Sequence, residues 1–419
     1  MRILLATAES HPTYRPDVQV LFGQALPAHG IQVDLLAVTP RPATAPWPGG
    51  VLHAHQPDGR GAMAALVSDL RLQAGLLGNG RLGPGLQGPG LKGVDLLVVR
   101  DKPVLGLIGW LAARQAGIPF AYWMSYPLPA HHRWLAQRTD LPLMRRVWMG
   151  SRGRLGQSSL DHVLVPRSDW LFVQSQAMLE SLRPIGLPQE RVSVVPMGVD
   201  VAALPAPATD WPSSLQGRSV GVYLGTLDRA RGLEVLIDAT LRVVRQRPDF
   251  RLLVIGEADE PRDVGALQEF ARLRGASPWV HFAGRMPRAR ALSWVRRCAL
   301  ALSPVPRTPL TEVGSPTKAI EALACGIPVV CNDQPDQAAV IRGSQGGHVV
   351  DLSSTGFAQG VLRTLREIEA GHWLERSRVA REWVRRHRDY QAIGARVAVD
   401  LQTCVSRHAQ RRMQERAAR

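Results

Sequence analysis

Apolar residues in this chain follow two alternating rhythms. Short runs such as residues 2–8 (RILLATA) predict buried strands, and stretches with apolar positions three and four apart, such as 18–28, predict helices. A polar loop with prolines, 11–17, separates these two, and Gly30 ends the helix before a second strand at 31–38. Strand, loop, helix and strand in that order make a right-handed βαβ unit of a parallel sheet. The pattern resumes with strands at 94–99, 118–124, 169–175 and 192–196, and helices at 104–116 and 176–182. In between, 41–61 reads as irregular, 63–77 as a helix and 78–93 as a flexible Gly/Pro loop.

A Pro- and Ala-rich linker at 201–214 precedes a second set of the same units. Strands are predicted at 219–225, 250–256, 280–283 and 299–304, and helices at 232–247, 263–275, 289–298, 357–370 and 375–387. A long basic helix, 391–419, closes the chain. The fold class is therefore α/β, with two Rossmann-like domains joined by a linker and a cleft between them. The expected limits are 1–200, 215–388 and a C-terminal helix from 389 to 419.

The stretch 314–330 (GSPTKAIEALACGIPVV) carries the chemistry. Ser315 reads as an N-cap, Pro316 as a first-turn residue and Gly326 as the C′ stop before a strand at 327–331. Free N–H groups at a helix start hold anions. Lys318 lies in that first turn, and Glu321 shares a face with Thr317 and Lys318. Such a site grips a phosphate and a sugar hydroxyl together. The plain alternative is a surface ion pair between Lys318 and Glu321.

Composition narrows the class. The chain has 419 residues, 45% of them hydrophobic and 21% charged, as in soluble globular proteins. No apolar run reaches the roughly 18–20 residues of a membrane helix. Residues 1–8 are apolar, but Glu9 cuts them off, so a first strand is expected rather than a signal peptide. Four cysteines form no CxxC and read as reduced core thiols of a cytosolic protein, with no metal role. The net charge of +16 suggests an anionic partner. Only Lys92, Lys102 and Lys318 are lysines among 51 basic residues, so Arg bias explains much of the charge and each lysine stands out.

Residues 131–156 differ from the rest: six arginines against one aspartate, interleaved with Trp134, Leu143, Met144, Val147, Trp148 and Met149. This suits contact with an anionic membrane surface. An ordinary amphipathic helix pair is the alternative, and Pro142 and Gly150 are expected to break any single long helix.

Five stretches resemble one family: 191–200 (RVSVVPMGVD), 222–239 (VYLGTLDRARGLEVLIDA), 252–257 (LLVIGE), 315–330 and 390–402. Together they resemble the retaining GT-B-fold glycosyltransferases of family 4. The resemblance implies transfer of a sugar from a nucleotide-diphosphate donor, with the donor on the second domain and the acceptor on the first. It also implies that the final helix returns to the first domain. No cofactor or metal is expected, since basic side chains and backbone N–H groups neutralise the diphosphate.

The resemblance assigns roles residue by residue. Glu321 matches the ribose-binding glutamate, and its partner acid falls at Val313, with Glu312 one residue off. Arg231 stands where the family has a phosphate-binding Lys, and Thr226 where it has a companion Arg, for which Arg229 is a substitute. The catalytic set is thus Arg231, Lys318 and Glu321. Gly225, Thr226, Arg229, Gly314, Ser315, Pro316 and Thr317 bind donor. Arg15, Lys102, Ser125 (in the place of a family His), His131 and His132 are acceptor- or sugar-side candidates.

The expected function is a cytoplasmic, peripherally membrane-bound glycosyltransferase acting on a cell-surface polysaccharide or lipid-linked acceptor. The alternatives are another GT-B enzyme such as a nucleotide-sugar epimerase, or a donor-binding protein with degenerate catalysis. No nucleic-acid partner is expected, because aromatics are 5% of residues and no binding motif is present.

Overall fold

A computed structural model describes residues 1–13, 15–39, 46–55, 71–76, 81–83, 86–87, 89–186 and 189–418. They form two compact units, Met1–Pro196 with Tyr390–Arg419, and Met197–Asp389.

In the first unit the apolar runs become strands β1 (Arg2–Ser10), β2 (Gln32–Val38), β3 (Leu52–His55), β6 (Leu96–Arg100), β7 (Phe120–Met124), β8 (Trp170–Val173) and β9 (Val192–Val194). A two-stranded antiparallel pair, β4 (Arg81–Gly83) and β5 (Leu86–Gln87), stands apart. The seven strands form one parallel sheet in the order β3-β2-β1-β6-β7-β8-β9. Strand order reverses between β1 and β6, which places the loops after these two strands at a topological switch point. Parts of the expected irregular segment 41–61, helix 63–77 and loop 78–93 lie outside the described residues; within them 71–76 is helical, strand β3 lies in the segment expected to be irregular, and β4 and β5 lie in the expected loop.

The helix Tyr390–Ala417 packs on this unit. Tyr390, Ile393, Val397 and Leu401 are buried in one core with Phe22 and Ala25. Gly394 lets it come close, since a Cβ there would stand 2.7 Å from that of Ala25. Its arginines are also engaged: Arg407 donates to the Glu190 carbonyl at 2.7 Å, Arg411 pairs with Asp169, and Arg412 donates to the Gly117 carbonyl.

In the second unit the strands are β10 (Ser219–Leu224), β11 (Phe250–Ile255), β12 (Val280–Gly284), β13 (Leu300–Ser303), β14 (Val329–Asn332) and β15 (Gly347–Val350). They form a parallel sheet in the order β12-β11-β10-β13-β14-β15, with its switch point between β10 and β13. The pattern did not predict β15, the helix Pro335–Ser344 that leads to it, or the short helix Pro309–Glu312. Leu204 and Trp211, in the Pro/Ala-rich stretch, pack against this unit's core.

Two local expectations are corrected. Ser315 does not cap the helix Thr317–Ala324; Pro316 holds the cap position, and no side chain bonds there. The Ser315 hydroxyl turns inward instead, for a reason given below. Gly150 does not break its helix either. Residues 128–159 form two helices, Leu128–Gln137 and Leu143–Ser159, and the second runs through Gly150, Gly153 and Gly156. Those last two glycines face the partner helix: a Cβ at Gly153 would stand 2.7 Å from the Arg133 Cγ, and one at Gly156 3.2 Å from the Pro129 Cγ. Helix propensity loses here to close packing.

All four cysteines are buried and unpaired. Among the described residues no helix is long and apolar enough to cross a membrane.

Candidate active site

The predicted donor residues gather at the carboxyl edge of β10, beside the β10/β13 switch point. Gly225 follows β10 directly, and its backbone is pressed against Lys318. A Cβ at Gly225 would collide with the Lys318 Cε and stand 3.1 Å from its Nζ. The ammonium lies over the Tyr223 ring, 5.6 Å from its centroid, a cation–π contact. Burial pushes the Lys318 ammonium down to about 8; nearby Arg231 adds to this, and Glu321 opposes it.

Thr226 occupies the place of a family arginine and orients one instead. Its hydroxyl accepts from the Arg231 Nε at 3.1 Å, while the Tyr223 hydroxyl donates to its carbonyl at 2.7 Å. Two cations, Lys318 and Arg231, therefore stand close enough to repel, an arrangement that favours an anion between or beside them. Arg229 lies exposed in the turn Arg229–Arg231, and its backbone N–H donates to Asp263 at 3.0 Å.

Glu321 is 9% exposed. Its Oε1 accepts from the Arg288 Nη2 at 2.8 Å, so Glu321 pairs with Arg288 rather than forming the alternative surface pair with Lys318. Arg288 opens the helix Arg288–Val295 after β12, and sequence reasoning missed it. Its only sequence signal is a position after a strand's carboxyl end, which many arginines here share. Lys318 and Glu321 also line a small cavity walled by Val222, Leu224, Leu292 and Ser303.

Gly314, Ser315, Pro316 and Thr317 form the approach to the helix. Gly314 is held by Gln334, whose Nε2 donates to its carbonyl at 2.9 Å. The Ser315 hydroxyl donates to Asp336 at 2.7 Å and accepts from the Met197 backbone N–H at 3.0 Å and from Arg388 at 3.2 Å. Ser315 thus anchors the loop. The first-turn N–H groups that follow, from Thr317 onward, have no acceptor within the helix. Glu312, one residue before Val313, pairs at two points with Arg307, at 2.8 and 2.5 Å.

The first-unit candidates are spread out. Arg15 pairs with Glu9 at 3.3 Å and is exposed. The Ser125 backbone N–H and hydroxyl both donate to Asp101, which sits at a left-handed φ of 63°. Arg100, buried beside Asp101, also pairs with Asp17 at 2.8 Å and Glu9 at 3.1 Å. Burial alone would lower the Arg100 guanidinium, but Asp101, Asp17 and Glu9 outweigh it and hold it up. His131 shares a hydrogen bond of 3.0 Å with the Tyr126 hydroxyl. Lys102 and His132 meet around one pocket, together with Arg152, which sequence reasoning had not singled out. Burial, then Arg152, His131 and Lys102, push the His132 imidazole down to about 4.

Comparison with known proteins agrees with this architecture. Residues 21–198 match the model of the glycosyl transferase 4-like domain, and residues 218–367 that of glycosyl transferases group 1. A D-inositol 3-phosphate glycosyltransferase of Jonesia denitrificans is 28% identical over 270 residues, 62% of this chain and 60% of that protein. A phosphatidyl-myo-inositol mannosyltransferase of Mycobacterium tuberculosis is 29% identical over 222 residues, 49% of this chain and 56% of that protein. The matched region thus spans less than two thirds of either relative. Among solved structures, the sucrose-phosphate synthase of Thermosynechococcus elongatus superposes with a TM-score of 0.67 at 17% identity, covering 100% of both chains. HepE of Anabaena, in complex with UDP-glucose, superposes with a TM-score of 0.65 at 17% identity, covering 96% of this chain and 100% of that one. With two parallel-sheet α/β units, each matched by its own family model, the chain belongs to the group 1, family 4-like glycosyltransferases and has the GT-B fold.

Proposed function

We propose that this protein transfers a sugar from a nucleotide-diphosphate donor, held by the second unit, to a cell-surface glycan or lipid-linked acceptor held by the first. The observation that carries the reading is the convergence of Lys318, Arg231 and Glu321 on the β10/β13 switch point. As the bond from the anomeric carbon to the phosphate oxygen breaks, its electron pair leaves on the diphosphate. Lys318, Arg231 and the first-turn N–H groups stabilise that charge, and because they are already in place they need little reorganisation. In this reading they neutralise the diphosphate without a metal. Glu321 accepts hydrogen bonds from the ribose hydroxyls, with Arg288 holding its carboxylate in position. The anomeric configuration is retained, as the family resemblance implies.

The test is a panel of nucleotide sugars, read by thermal shift and by hydrolysis. One or more donors are expected to raise the melting temperature, and Glu321→Ala is expected to weaken that donor's binding by roughly 10–100-fold, the loss of one or two charge-assisted hydrogen bonds. No shift with any nucleotide sugar, or equal binding by the variant, removes the reading.

Gly225→Ala tests the close approach at the same place. The new methyl meets the flexible end of Lys318. Gly225 also sits at φ 158°, so an alanine there strains the backbone as well as displacing the lysine end. Nucleoside diphosphate affinity should fall roughly tenfold, the scale of an overpacking cost of about 1–3 kcal/mol. Calorimetric titration gives the comparison, and unchanged affinity would show that the diphosphate does not depend on this close approach.

A further inference from the structure

The sheet of the second unit ends in an open edge at β15. This is the last strand of the order β12-β11-β10-β13-β14-β15, so only one of its sides is paired. The Val329 backbone N–H donates to the Gly346 carbonyl at 3.0 Å, which fixes the phase of the ladder. Along a parallel strand, N–H and C=O groups turn alternately to either side. His348 and Val350 therefore bond to β14. Gly347 and Val349 turn theirs to the open side, where they have no hydrogen-bond partner among the described residues. Two outward residues spaced i and i+2 are the backbone template for an added strand.

A shallow trough of about 800 Å³, open solvent included, runs along this edge and is lined by Gly347 and Val349. Its charged lining is cationic. Arg342 comes from the last turn of Pro335–Ser344, Arg363 from the helix Ser354–Glu369 and Arg376 from the helix Trp373–Arg388. No carboxylate is among the described residues that line it. Glu367, just behind, is already shared: it pairs with His348 at 3.0 Å, Arg363 at 3.2 Å and Arg376 at 2.7 Å. Two further bonds to the Gln345 carbonyl, at 3.1 and 2.9 Å, fix Arg376. Arg342 has no carboxylate paired to it among the described residues, and the Arg363 side chain is 68% exposed. Three guanidinium groups around one carboxylate leave an excess of positive charge along the strand edge.

We propose that β15 is a docking edge for an acidic, extended segment of another protein, which adds to the six-stranded sheet as a further strand. Its backbone pairs with Gly347 and Val349, and its carboxylates meet Arg342 and Arg363. Charge selects the occupant. Basic side chains on an edge keep like edges apart. This chain carries +16 and the edge itself is basic, so a second copy is repelled. For an acidic strand the same charges become attractive and fix its position. The trough includes Gly347, the first residue of β15, whereas the donor residues gather at the carboxyl edge of the sheet. A docked segment therefore leaves the donor site open.

The test uses the full chain and the fluorescence anisotropy of a labelled peptide of alternating valine and glutamate, about eight residues long. Saturable binding is expected, and none for the peptide with lysine in place of glutamate. Arg342→Gln/Arg363→Gln should weaken binding about three- to tenfold, the loss of two exposed ion pairs. Arg272→Gln/Arg274→Gln removes the same charge near the opposite edge strand, from pairs with Glu269 and Asp238, and should bind as wild type does. Equal losses in the two doubles would reduce the effect to net charge and overturn the proposal. Two further peptides, N-methylated at every valine or at every glutamate, probe the backbone. In an added strand only one set of amides faces β15, so one peptide should lose binding and the other keep it. Equal behaviour of the two overturns strand addition, as does failure of the parent peptide to bind. Full competition by hyaluronate at matched carboxylate concentration would assign the edge to an acidic glycan and overturn the protein partner. The nucleotide-sugar thermal shift should be the same in every variant, so failure of this edge and failure of the donor site are separately visible.

Discussion

Lys318→Ala is expected to lower kcat/KM by about 10²–10³, the scale for removing one preorganised donor to a developing negative charge. The lysine is half-buried over Tyr223, against the Gly225 backbone and near Arg231, so its charge acts where water screens it poorly. The same environment creates a pH signature. Burial, with Arg231, holds the free ammonium down to about 8, and a bound diphosphate would raise it. Below about pH 8 the group is charged before and after binding, and affinity should be flat. As pH rises through about 8 the free protein loses the proton that the complex keeps, and affinity should fall with each further step until the bound form also titrates. Calorimetric titration of a nucleoside diphosphate from pH 6.5 to 9.5 gives the curve (a range of roughly 1.5 units either side of that value). In Lys318→Ala the break near 8 should vanish. A break that persists in the variant assigns the proton to another group.

This residue also shows what could be read from the chain alone. Two alternating rhythms of apolar residues are enough to give two parallel sheets, because a parallel strand buried on both faces is a continuous apolar run and its crossover helix is amphipathic. Lys318 was conspicuous because arginine has displaced lysine nearly everywhere else, and Gly225 because it follows a strand. The partners of these residues were not visible. Glu321 meets Arg288 from 33 positions away, and nothing local separates Arg288 from the other arginines. Arg152 looked like one of several arginines in a basic segment until the close packing of Gly153 and Gly156 set the helix's rotation. β15 was missed because its four residues, Gly347–Val350, are half-buried and too short to show a period. Ser315 was misread for the opposite reason. Its local context, Ser-Pro before a helix, satisfies a capping rule, but a buried carboxylate distant in sequence competes for the hydroxyl and wins.

That carboxylate sets up the largest expected stability effect. Arg388→Ala should destabilise the second unit by about 3–5 kcal/mol, the cost of leaving one partner of a buried ion pair uncompensated. Arg388 and Asp336 side chains are each 8% exposed and are joined at 2.7 Å, with a second contact at 3.2 Å. The guanidinium also donates to the Ser315 hydroxyl at 3.2 Å and the Met197 carbonyl at 3.4 Å, and the Arg388 carbonyl accepts from the Val199 backbone N–H at 2.8 Å. One arginine side chain therefore ties the start of the unit, its last helix and the approach to Thr317–Ala324 into a single buried network. For a unit of this size the loss corresponds to roughly 10 °C in melting temperature. The double variant Asp336→Ala/Arg388→Ala removes the stranded charge and should melt above Arg388→Ala, a positive coupling that a surface pair would not show. Because Ser315 loses two of its three partners in the double variant, the Gly314–Thr317 approach loses its anchor, and nucleotide affinity should remain weakened even where stability recovers. Thermal unfolding and titration of the three proteins decide the matter. If Arg388→Ala melts within about 2 °C of wild type, less than 1 kcal/mol for a unit this large, the network does not hold the donor loop.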